Sequence, residues 1–333
     1  MAIRDALRAI KLALLIAALI PAVYLKAPKP PLVADGRVER QDLMPALRAE
    51  GPLPETGAPQ LVGAWRLTGR DHNFGNFSGL AQAGGALVTV SDRGGVMWFS
   101  RPDRRGPWQT RLTRLVSADW RTHPHYTDAE SVAVGPGTGN LLVGYEDAAA
   151  MERFSDDLAV RTLIPLPVLS EWPPNQGPEA MTRLADGRTV MIGEAYAQWF
   201  DRTRHTGLIF PGEPRPNEAP ARFELRMPPG YRPCELAQMP DGRLLVLGRN
   251  FSFAGFRSLI GIFAPSDVRR GAAITPRVIA RIDDPRIRDN YEGMTITREP
   301  DGSSAIWLIS DSNAMVWAQR TLVLKLRLAA PAF

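Results

Sequence analysis

Acidic residues recur along the chain at a spacing that suggests one shared site. Four glutamates and one serine occupy equivalent places in a repeated pattern, separated by 52, 49, 56 and 57 residues: Ser78, Glu130, Glu179, Glu235 and Glu292. A second acidic set follows a short apolar strand later in four of the repeats: Asp92, Glu146, Glu194 and Asp311. Carboxylates gathered in one place repel one another unless protons, arginines or a cation compensate them. Oxygen-only ligands favour Ca²⁺, with Mg²⁺ as the alternative, over Zn²⁺.

Arginines and amides stand among these carboxylates. Arg93 follows Asp92 directly, and Arg249 ends the apolar strand of the fourth repeat, where the other repeats have an acidic residue. Guanidinium groups bind anionic oxygens and offset negative charge that develops during a reaction. Further oxygen ligands or hydrogen-bond acceptors lie just upstream of the glutamates: Asp128, Asn175 and Asn290.

The repeat itself predicts the elements that carry these residues. Each unit reads as a short apolar strand, a turn containing glycine and a more apolar strand, with room for two more strands in most units. A period near 50 residues with β-hairpin content is typical of propeller blades. Asp-Gly turns join the first two strands of three units: Asp186-Gly187, Asp241-Gly242 and Asp301-Gly302. The sequence therefore predicts an all-β propeller of five blades, with six possible and a β-sandwich as the alternative fold.

The last unit lacks one strand, and the start of the domain can supply it. Residues 321–328 are the final apolar strand, and residues 61–68 are predicted to pair with them, which closes the ring and removes open sheet edges. In a blade the first strand lines the channel and the second returns antiparallel beside it. The start of the first strand and the end of the second therefore meet at one rim, where the acidic residues recur. The competing interpretation is structural: each glutamate caps its own blade by accepting backbone N–H bonds from a neighbouring loop.

Other reactive residues carry weaker signals. His123 and His125 form a pair on a polar loop that could ligate a metal, although a solvent-facing role is the simpler expectation. His72 lies shortly before the first repeat, at the entrance of the rim, where it could act as an acid or base. Cys234 is expected to be a small buried strand residue. Ser78 and Ser131 lack the Gly-x-Ser-x-Gly elbow of a hydrolase triad.

The N-terminus reads as an export leader. Basic residues between Arg4 and Lys11 precede the uncharged run of residues 12–25, which is shorter than the roughly 20 residues of a membrane span. Residues 1–26 are therefore predicted to be a signal peptide or an uncleaved anchor, which would give an inner-membrane tether through residues 12–25. Residues 27–60 are predicted to be a Pro-rich linker, of which residues 32–60 are either linker or a surface wrap, and residues 61–333 the propeller domain. The expected location is periplasmic or secreted.

The chain has a formal net charge of +5 and an isoelectric point near 9.6, values that by themselves suggest a nucleic-acid or membrane-surface binder. Five basic residues and one acidic residue lie within residues 1–30, so the body of the chain is nearly neutral. No nucleic-acid partner is expected. The chain has one cysteine, which excludes an internal disulfide.

Several motifs resemble a known family. They are residues 74–81 with residues 90–94, residues 175–180 with Asp186-Gly187-Arg188 and Gly193-Glu194, and residues 290–294 with residues 309–311. In this order, over about residues 61–328, they resemble the bacterial "esterase-like activity of phytase" family, which has a phytase-like domain. The resemblance implies an exported β-propeller that hydrolyses ester or phosphoester bonds.

The combined expectation is a divalent-cation-assisted hydrolase of small anionic or ester substrates at the channel mouth. The predicted metal ligands are Glu130, Glu179, Glu292 and Asp311. The predicted catalytic residues are Glu179, Glu292, Asp311, Arg93 and Arg249, with the two arginines binding the anionic group. The alternative is a non-catalytic periplasmic binding propeller, which would more often present an aromatic rim.

Overall fold

β-Strands account for most of the described chain. The structure, a computed structural model, describes residues 34–115, 128–135, 137–146, 148–173, 176–198, 200–252, 255–313 and 319–329. These residues form 22 strands, one α-helix and two short 3₁₀ helices, at Pro167–Glu171 and Pro265–Asp267. Within them, no helix is long and apolar enough to cross a membrane.

The N-terminal elements are β1 (Val38–Asp42), α1 (Met44–Ala49) and β2 (Gln60–Gly69). Blade 1 consists of β3 (Phe77–Ala83), β4 (Ala86–Ser91), β5 (Gly95–Ser100) and β6 (Thr110–Arg114). Blade 2 consists of β7 (Ala129–Val134), β8 (Leu141–Tyr145), β9 (Ala150–Phe154) and β10 (Arg161–Pro165). Blade 3 begins with β11 (Ala180–Arg183), β12 (Thr189–Gln198), β13 (Asp201–Phe210) and β14 (Ala221–Arg226). Blade 4 consists of β15 (Arg232–Gln238), β16 (Leu244–Ser252), β17 (Gly255–Phe263) and β19 (Arg277–Ile282), and the short strand β18 (Ala273–Ile274) lies between β17 and β19 in the chain. Blade 5 contains β20 (Asn290–Arg298), β21 (Ser304–Asp311) and β22 (Thr321–Leu328).

The strands form five sheets, so the predicted five-bladed propeller is confirmed. The first strand of each unit is the innermost, and the following strands lie progressively outward in antiparallel order. The described residues contain no sixth sheet. Blade 3 gains an extra outer strand because β18, from the connection between β17 and β19, pairs in parallel with β14.

Ring closure follows the predicted pairing. β2 pairs antiparallel with β22, with Ala64 opposite Leu324, and β1 adds a fifth strand outside β2. The helix α1 places Met44 and Leu47 in the apolar core shared by blades 4 and 5. Residues 38–49, which fall in the range predicted as linker, are therefore part of the propeller, because β1 and α1 bury apolar side chains against it.

The core is divided among the blade boundaries. One cluster of buried apolar residues lies between each pair of neighbouring blades. A middle strand is consequently covered on both faces, as in β21, where every residue is buried. Such strands read as continuous apolar runs rather than alternating patterns, which is why the second strand of each repeat stands out in the sequence.

The three predicted Asp-Gly turns are present. Gly187, Gly242 and Gly302 adopt φ values of 93°, 90° and 81°, in the left-handed region that favours glycine. The preceding aspartate in each turn accepts a backbone N–H from two residues further on, as Asp186 does from Arg188 at 3.0 Å.

Side chains also join blade 5 to blade 1. Arg101 Nη2 lies 2.6 Å from Glu299 Oε1, and Lys325 Nζ lies 2.6 Å from Asp103 Oδ2. Both cations stand over the Trp307 ring, at 5.1 and 5.4 Å from its centroid. The boundary between blades 5 and 1 is thus stabilised by ion pairs and by cation–π contacts with Trp307.

Candidate functional site

The five blades place equivalent residues at one end of the channel, which we call the site rim. It is formed where β3, β7, β11, β15 and β20 begin and where β4, β8 and β21 end, while β12 and β16 continue past it. Three positions recur there. The outer position holds Asn76, Asp128, Gly177, Arg232 and Asn290; the bulge position holds Ser78, Glu130, Glu179, Cys234 and Glu292; the second-strand position holds Asp92, Glu146, Glu194, Arg249 and Asp311.

Strand register defines these positions. In blades 1, 2, 4 and 5 the pairing of the first two strands skips one residue, which leaves a β-bulge at Ser78, Glu130, Cys234 and Glu292. In blade 3, β11 begins after the equivalent place. There the Glu194 N–H donates to the Gly177 carbonyl at 3.3 Å, as the Asp92 N–H donates to Asn76 and the Glu146 N–H to Asp128. Bulges redirect side chains at the rims of β structures.

Glu235 corrects one sequence expectation. The bulge residue of blade 4 is Cys234, so Glu235 stands one place further into the channel, where the other blades have small residues: Gly79, Ser131, Ala180 and Gly293. A Cβ atom on Gly293 would lie 2.7 Å from the Leu80 Cβ, so the inner strands approach too closely there for larger residues in most blades. The equivalent of Glu130 and Glu292 in blade 4 is therefore Cys234, and the prediction that Glu235 occupies this position is wrong.

The Glu235 carboxylate ties the inner strands together instead of lining the rim. Its Oε2 accepts the Leu80 N–H at 3.1 Å, and its Oε1 accepts the N–H groups of Leu236 at 3.0 Å and Met181 at 3.5 Å. The side chain is 1% exposed, and burial raises its pKa well above the ordinary value. Blades 1, 3 and 4 thus share one carboxylate, which is a structural role of the kind that the competing interpretation assigns to the glutamates.

An acidic group lies in blade 2. Asp128, Glu130 and Glu146 each offer a carboxylate oxygen, and these oxygens lie within 4.8 Å of one another. Ca²⁺ binds oxygen ligands at 2.3–2.6 Å, so opposite ligands of one ion are separated by roughly 4.6–5.2 Å. The donor set contains only oxygen and fits a hard divalent cation. We call these three residues the acidic triplet.

Glu179 of blade 3 adjoins the acidic triplet. Burial raises the pKa of Glu130, and the negative charges of Glu179, Asp128 and Glu146 raise it further. Burial and the charge of Glu194 likewise raise the pKa of Glu179, while Arg249 opposes this effect. These carboxyl groups therefore favour either protons or a bound cation.

Arg249 of blade 4 contacts residues of three blades at the part of the rim away from the acidic triplet of blade 2. Its guanidinium donates to Glu194 Oε1 at 3.0 Å and to Asn290 Oδ1 at 3.4 Å, and it forms an ion pair with Glu292. Arg232 stands directly across from Arg249 in the β15–β16 pairing. Its Nη1 lies 3.3 Å from Glu194 Oε2, and two guanidinium groups therefore share one carboxylate.

Arg232 was not predicted from the sequence. The repeat could have identified it, because Arg232 occupies the outer position that holds Asp128 and Asn290 in other blades. Arg93, which was predicted, lies exposed in the turn between β4 and β5, where its backbone N–H donates to Ser91 Oγ at 3.2 Å. The arginine pair of the rim is thus Arg232 and Arg249.

Asp311 and Asp92 complete the rim in blades 5 and 1. Asp311 Oδ2 accepts a hydrogen bond from Asn290 Nδ2 at 3.2 Å, and its Oδ1 accepts the Asn313 N–H at 2.7 Å. Burial, with a contribution from the Asp92 charge, raises the pKa of Asp311 to about 6. Asp92 Oδ2 accepts from Asn76 Nδ2 at 3.0 Å, and burial raises the pKa of this aspartate also.

The predicted ligands are distributed over both sides of the rim. Glu130 belongs to the acidic triplet and Glu179 adjoins it, whereas Glu292 and Asp311 bond to Arg249 and Asn290. Asp128 and Glu146 complete the triplet in their place.

The weaker candidates lie outside this arrangement or outside the described residues. Cys234 is fully buried, as predicted, and its Sγ lies 3.5 Å from the Leu247 carbonyl oxygen and 3.4 Å from that of Tyr291, so its one S–H can donate to either. His72 Nδ1 lies 3.6 Å from Asp71 Oδ1. His123, His125 and Asn175 fall outside the described residues.

Comparison with known proteins identifies a family. A family model described as "Phytase-like: Esterase-like activity of phytase" matches residues 72–314. A search of curated proteins finds no match.

Three solved structures show a distant similarity to this chain. An α-L-arabinofuranosidase from Podospora anserina, in complex with cellotriose, is 13% identical with a TM-score of 0.48, over 83% of this chain and 98% of that one. Regucalcin from Agrobacterium tumefaciens, a calcium-binding protein, is 13% identical with a TM-score of 0.44, over 83% and 91%. Hydrazine synthase from Kuenenia stuttgartiensis is 12% identical with a TM-score of 0.37, over 72% of this chain and 57% of that one. At these values the similarity carries no argument about function.

Proposed function

The chain belongs to the phytase-like family, described by its esterase-like activity, and on this premise we propose that it is a hydrolase of ester or phosphoester bonds. The observation that supports the proposal is the site rim. Eight carboxylates and two arginines occupy equivalent positions of five blades, with the acidic triplet on one side and the arginine pair on the other. Separated acidic and basic groups of this kind are suited to binding and activating a polar ester.

The acidic triplet would hold a divalent cation, for which Ca²⁺ is our first choice and Mg²⁺ the alternative. Asp128, Glu130 and Glu146 supply oxygen ligands, and Glu179 is a further ligand in this proposal because its charge already acts on Glu130. A bound cation of this type polarises an ester or phosphoryl oxygen and lowers the pKa of water.

Arg249 and Arg232 would bind the negatively charged end of the substrate. Glu194 and Glu292 hold the Arg249 guanidinium in place, and Glu194 also contacts Arg232. A guanidinium that is fixed before the substrate arrives stabilises developing negative charge without having to reorganise. Glu292 is thus a positioning residue in this proposal. Arg93, exposed in the turn between β4 and β5, stays a prediction as a further anion-binding residue.

Asp311 would accept the proton of the attacking water. Its pKa of about 6 leaves it mostly ionised at neutral pH, which suits a general base. Asn290 and the Asn313 backbone N–H hold its two oxygens.

A non-catalytic binding propeller is the second candidate. Phe200 and Phe251 are 69% and 73% exposed, and both lie on hairpins that extend from the site rim. Exposed aromatic residues are enriched at binding surfaces, so this observation favours recognition of a ligand.

We also propose that residues 1–26 direct export and that the protein works in the periplasm or outside the cell, with residues 12–25 as an inner-membrane tether if the leader is not cleaved. The basic residues before the apolar run support this proposal.

The experiment that separates the two functions is a substrate panel for the full chain. Chromogenic carboxylic esters and phosphoesters are offered in the presence of Ca²⁺, with wild type and Arg249→Gln compared. The hydrolase proposal expects turnover of at least one substrate and its loss in the variant. Binding of the panel without turnover would support the binding propeller.

A further inference from the structure

Two hairpins extend the site rim in blades 3 and 4. The strands β12, β13, β16 and β17 have nine or ten residues each, whereas β4, β5, β8 and β9 in blades 1 and 2 have five or six. The additional pairs lie beyond the second-strand positions, at Tyr196 opposite His205 and at Phe251 opposite Phe256. The extra length therefore places aromatic residues beyond the arginine pair.

Phe251 follows Arg249 by two residues on β16. The two residues are separated by one position in β16, so their side chains leave the same face, at a rise of about 7 Å. The Phe251 side chain is 73% exposed, and its ring centroid lies 4.8 Å from that of Phe256, its cross-strand partner. An aromatic surface thus begins two residues beyond Arg249 on the same face of β16.

Tyr196 performs the equivalent role on the neighbouring hairpin. Its hydroxyl accepts a hydrogen bond from Arg232 Nε at 3.2 Å, and the Arg232 guanidinium carbon lies 5.0 Å from the ring centroid. The ring of the buried His205 lies 5.3 Å away and supports Tyr196 from its own sheet. Tyr196 and Arg232 are thereby held as one unit between blades 3 and 4.

From this arrangement we propose a substrate class: esters or phosphoesters that carry an aromatic or other flat apolar group. The charged end binds at Arg232 and Arg249, and the apolar group packs against Phe251 and Tyr196. The proposal rests on the proposed function, because it assigns the substrate of the same site.

A substrate is the occupant that the contacts favour. The Arg232–Tyr196 hydrogen bond connects the aromatic surface directly to the ionic part of the rim, and Phe251 shares its strand face with Arg249. A flat ring gains contact with exposed aromatic faces by stacking and by burial of apolar area. The same surface gives no such advantage to a small hydrophilic ester.

The test measures binding of two non-hydrolysable anions, phenylphosphonate and methylphosphonate, by calorimetry with the full chain in the presence of Ca²⁺. They share a head group, so the ratio of their affinities isolates the apolar part. We expect phenylphosphonate to bind about tenfold more tightly to wild type, corresponding to roughly 1.4 kcal/mol. Phe251→Ala should reduce this ratio to below threefold, and Phe251→Tyr should retain it.

Two further variants are matched controls. Val160→Ala removes an apolar side chain that is 65% exposed in the turn between β9 and β10, and it should leave both affinities unchanged. Arg232→Gln should weaken both phosphonates by a similar factor, about fivefold or more, because it removes part of the head-group site.

Three results would overturn the proposal: equal affinity of wild type for the two anions, an unchanged ratio in Phe251→Ala, or no binding of either. Because the readout is binding, it is independent of catalysis. A normal ratio without hydrolysis of any ester contradicts only the proposed function. Hydrolysis of small esters without an affinity ratio contradicts only the substrate class.

Discussion

Arg249 of blade 4 donates a hydrogen bond to the Glu194 carboxylate of blade 3 at 3.0 Å, and the same guanidinium pairs with Glu292 of blade 5. One cation therefore connects three blades at the site rim. Burial opposes its charge, yet the carboxylates of Glu179 and Glu194 raise the Arg249 pKa above the ordinary value. Arg249 is therefore part of the proposed site and also one of the contacts that hold blades 3, 4 and 5 together.

Arg249→Gln is expected to destabilise the fold as well as to reduce turnover. Removing one partner of a buried ion pair leaves uncompensated charge and costs about 3 kcal/mol. Chemical denaturation of wild type and variant measures the difference. Arg222→Gln is the control, because the Arg222–Glu171 pair has side chains that are 50% and 55% exposed and should contribute less than about 1 kcal/mol. Equal losses in both variants would contradict the bridging role.

Glu235→Ala should destabilise the propeller by about 3 kcal/mol, because it leaves buried N–H groups of three blades without an acceptor. Formate is small enough to offer a carboxylate to the same N–H groups. High formate concentrations should therefore raise the melting temperature of this variant more than that of wild type. An equal formate effect on both proteins would argue against the carboxylate tie, as would an unfolding free energy unchanged by the substitution.

The hydrolysis rate should rise with pH around 6. Asp311 has a pKa raised to about 6, and only its ionised form, which predominates above that pH, accepts a proton. Asp311→Asn should lower the rate at least about a hundredfold and remove this limb of the pH–rate profile. An acidic limb that persists unchanged in the variant would assign the titration to another group.

His205 should make stability depend on pH. Burial lowers its pKa to about 4 from an ordinary value of 6.5, so the unfolded chain binds a proton between these values and the folded chain does not. The contribution is present above pH 6.5 and is lost as pH falls to about 4, by up to about 3 kcal/mol. Denaturation of wild type and His205→Phe across this range measures it. Parallel stability curves for the two proteins would contradict the assignment.

The sequence predicted features that repeat, and it was less informative about features that depend on distant contacts. The spacing of Glu130, Glu179 and Glu292 indicated the blades and their shared rim, and the apolar strand at residues 321–328 indicated ring closure. The single-residue bulge at Cys234 shifted Glu235 inward, which a spacing of about 50 residues cannot resolve.

Arg232 and β1 illustrate what sequence patterns leave open. Arg232 belongs to the site because its Nη1 lies 3.3 Å from Oε2 of Glu194, a residue of another blade. A local sequence pattern does not predict a contact between two blades. Residues 38–42 form β1 because the edge of β2 is available for pairing, whereas their polar composition resembles a linker. In both cases the tertiary environment determines the role.

The most direct test of a cation-assisted hydrolase is turnover of 4-nitrophenyl phosphate and 4-nitrophenyl acetate by the full chain before chelation, after chelation and after return of Ca²⁺. Glu130→Gln removes a charge from the acidic triplet, and Glu171→Gln is the exposed control. We predict that chelation abolishes turnover, and that Ca²⁺ restores it in wild type and Glu171→Gln but leaves Glu130→Gln at least about tenfold slower. Turnover that resists chelation and is unchanged in Glu130→Gln, or no turnover of either ester by wild type, would contradict the account.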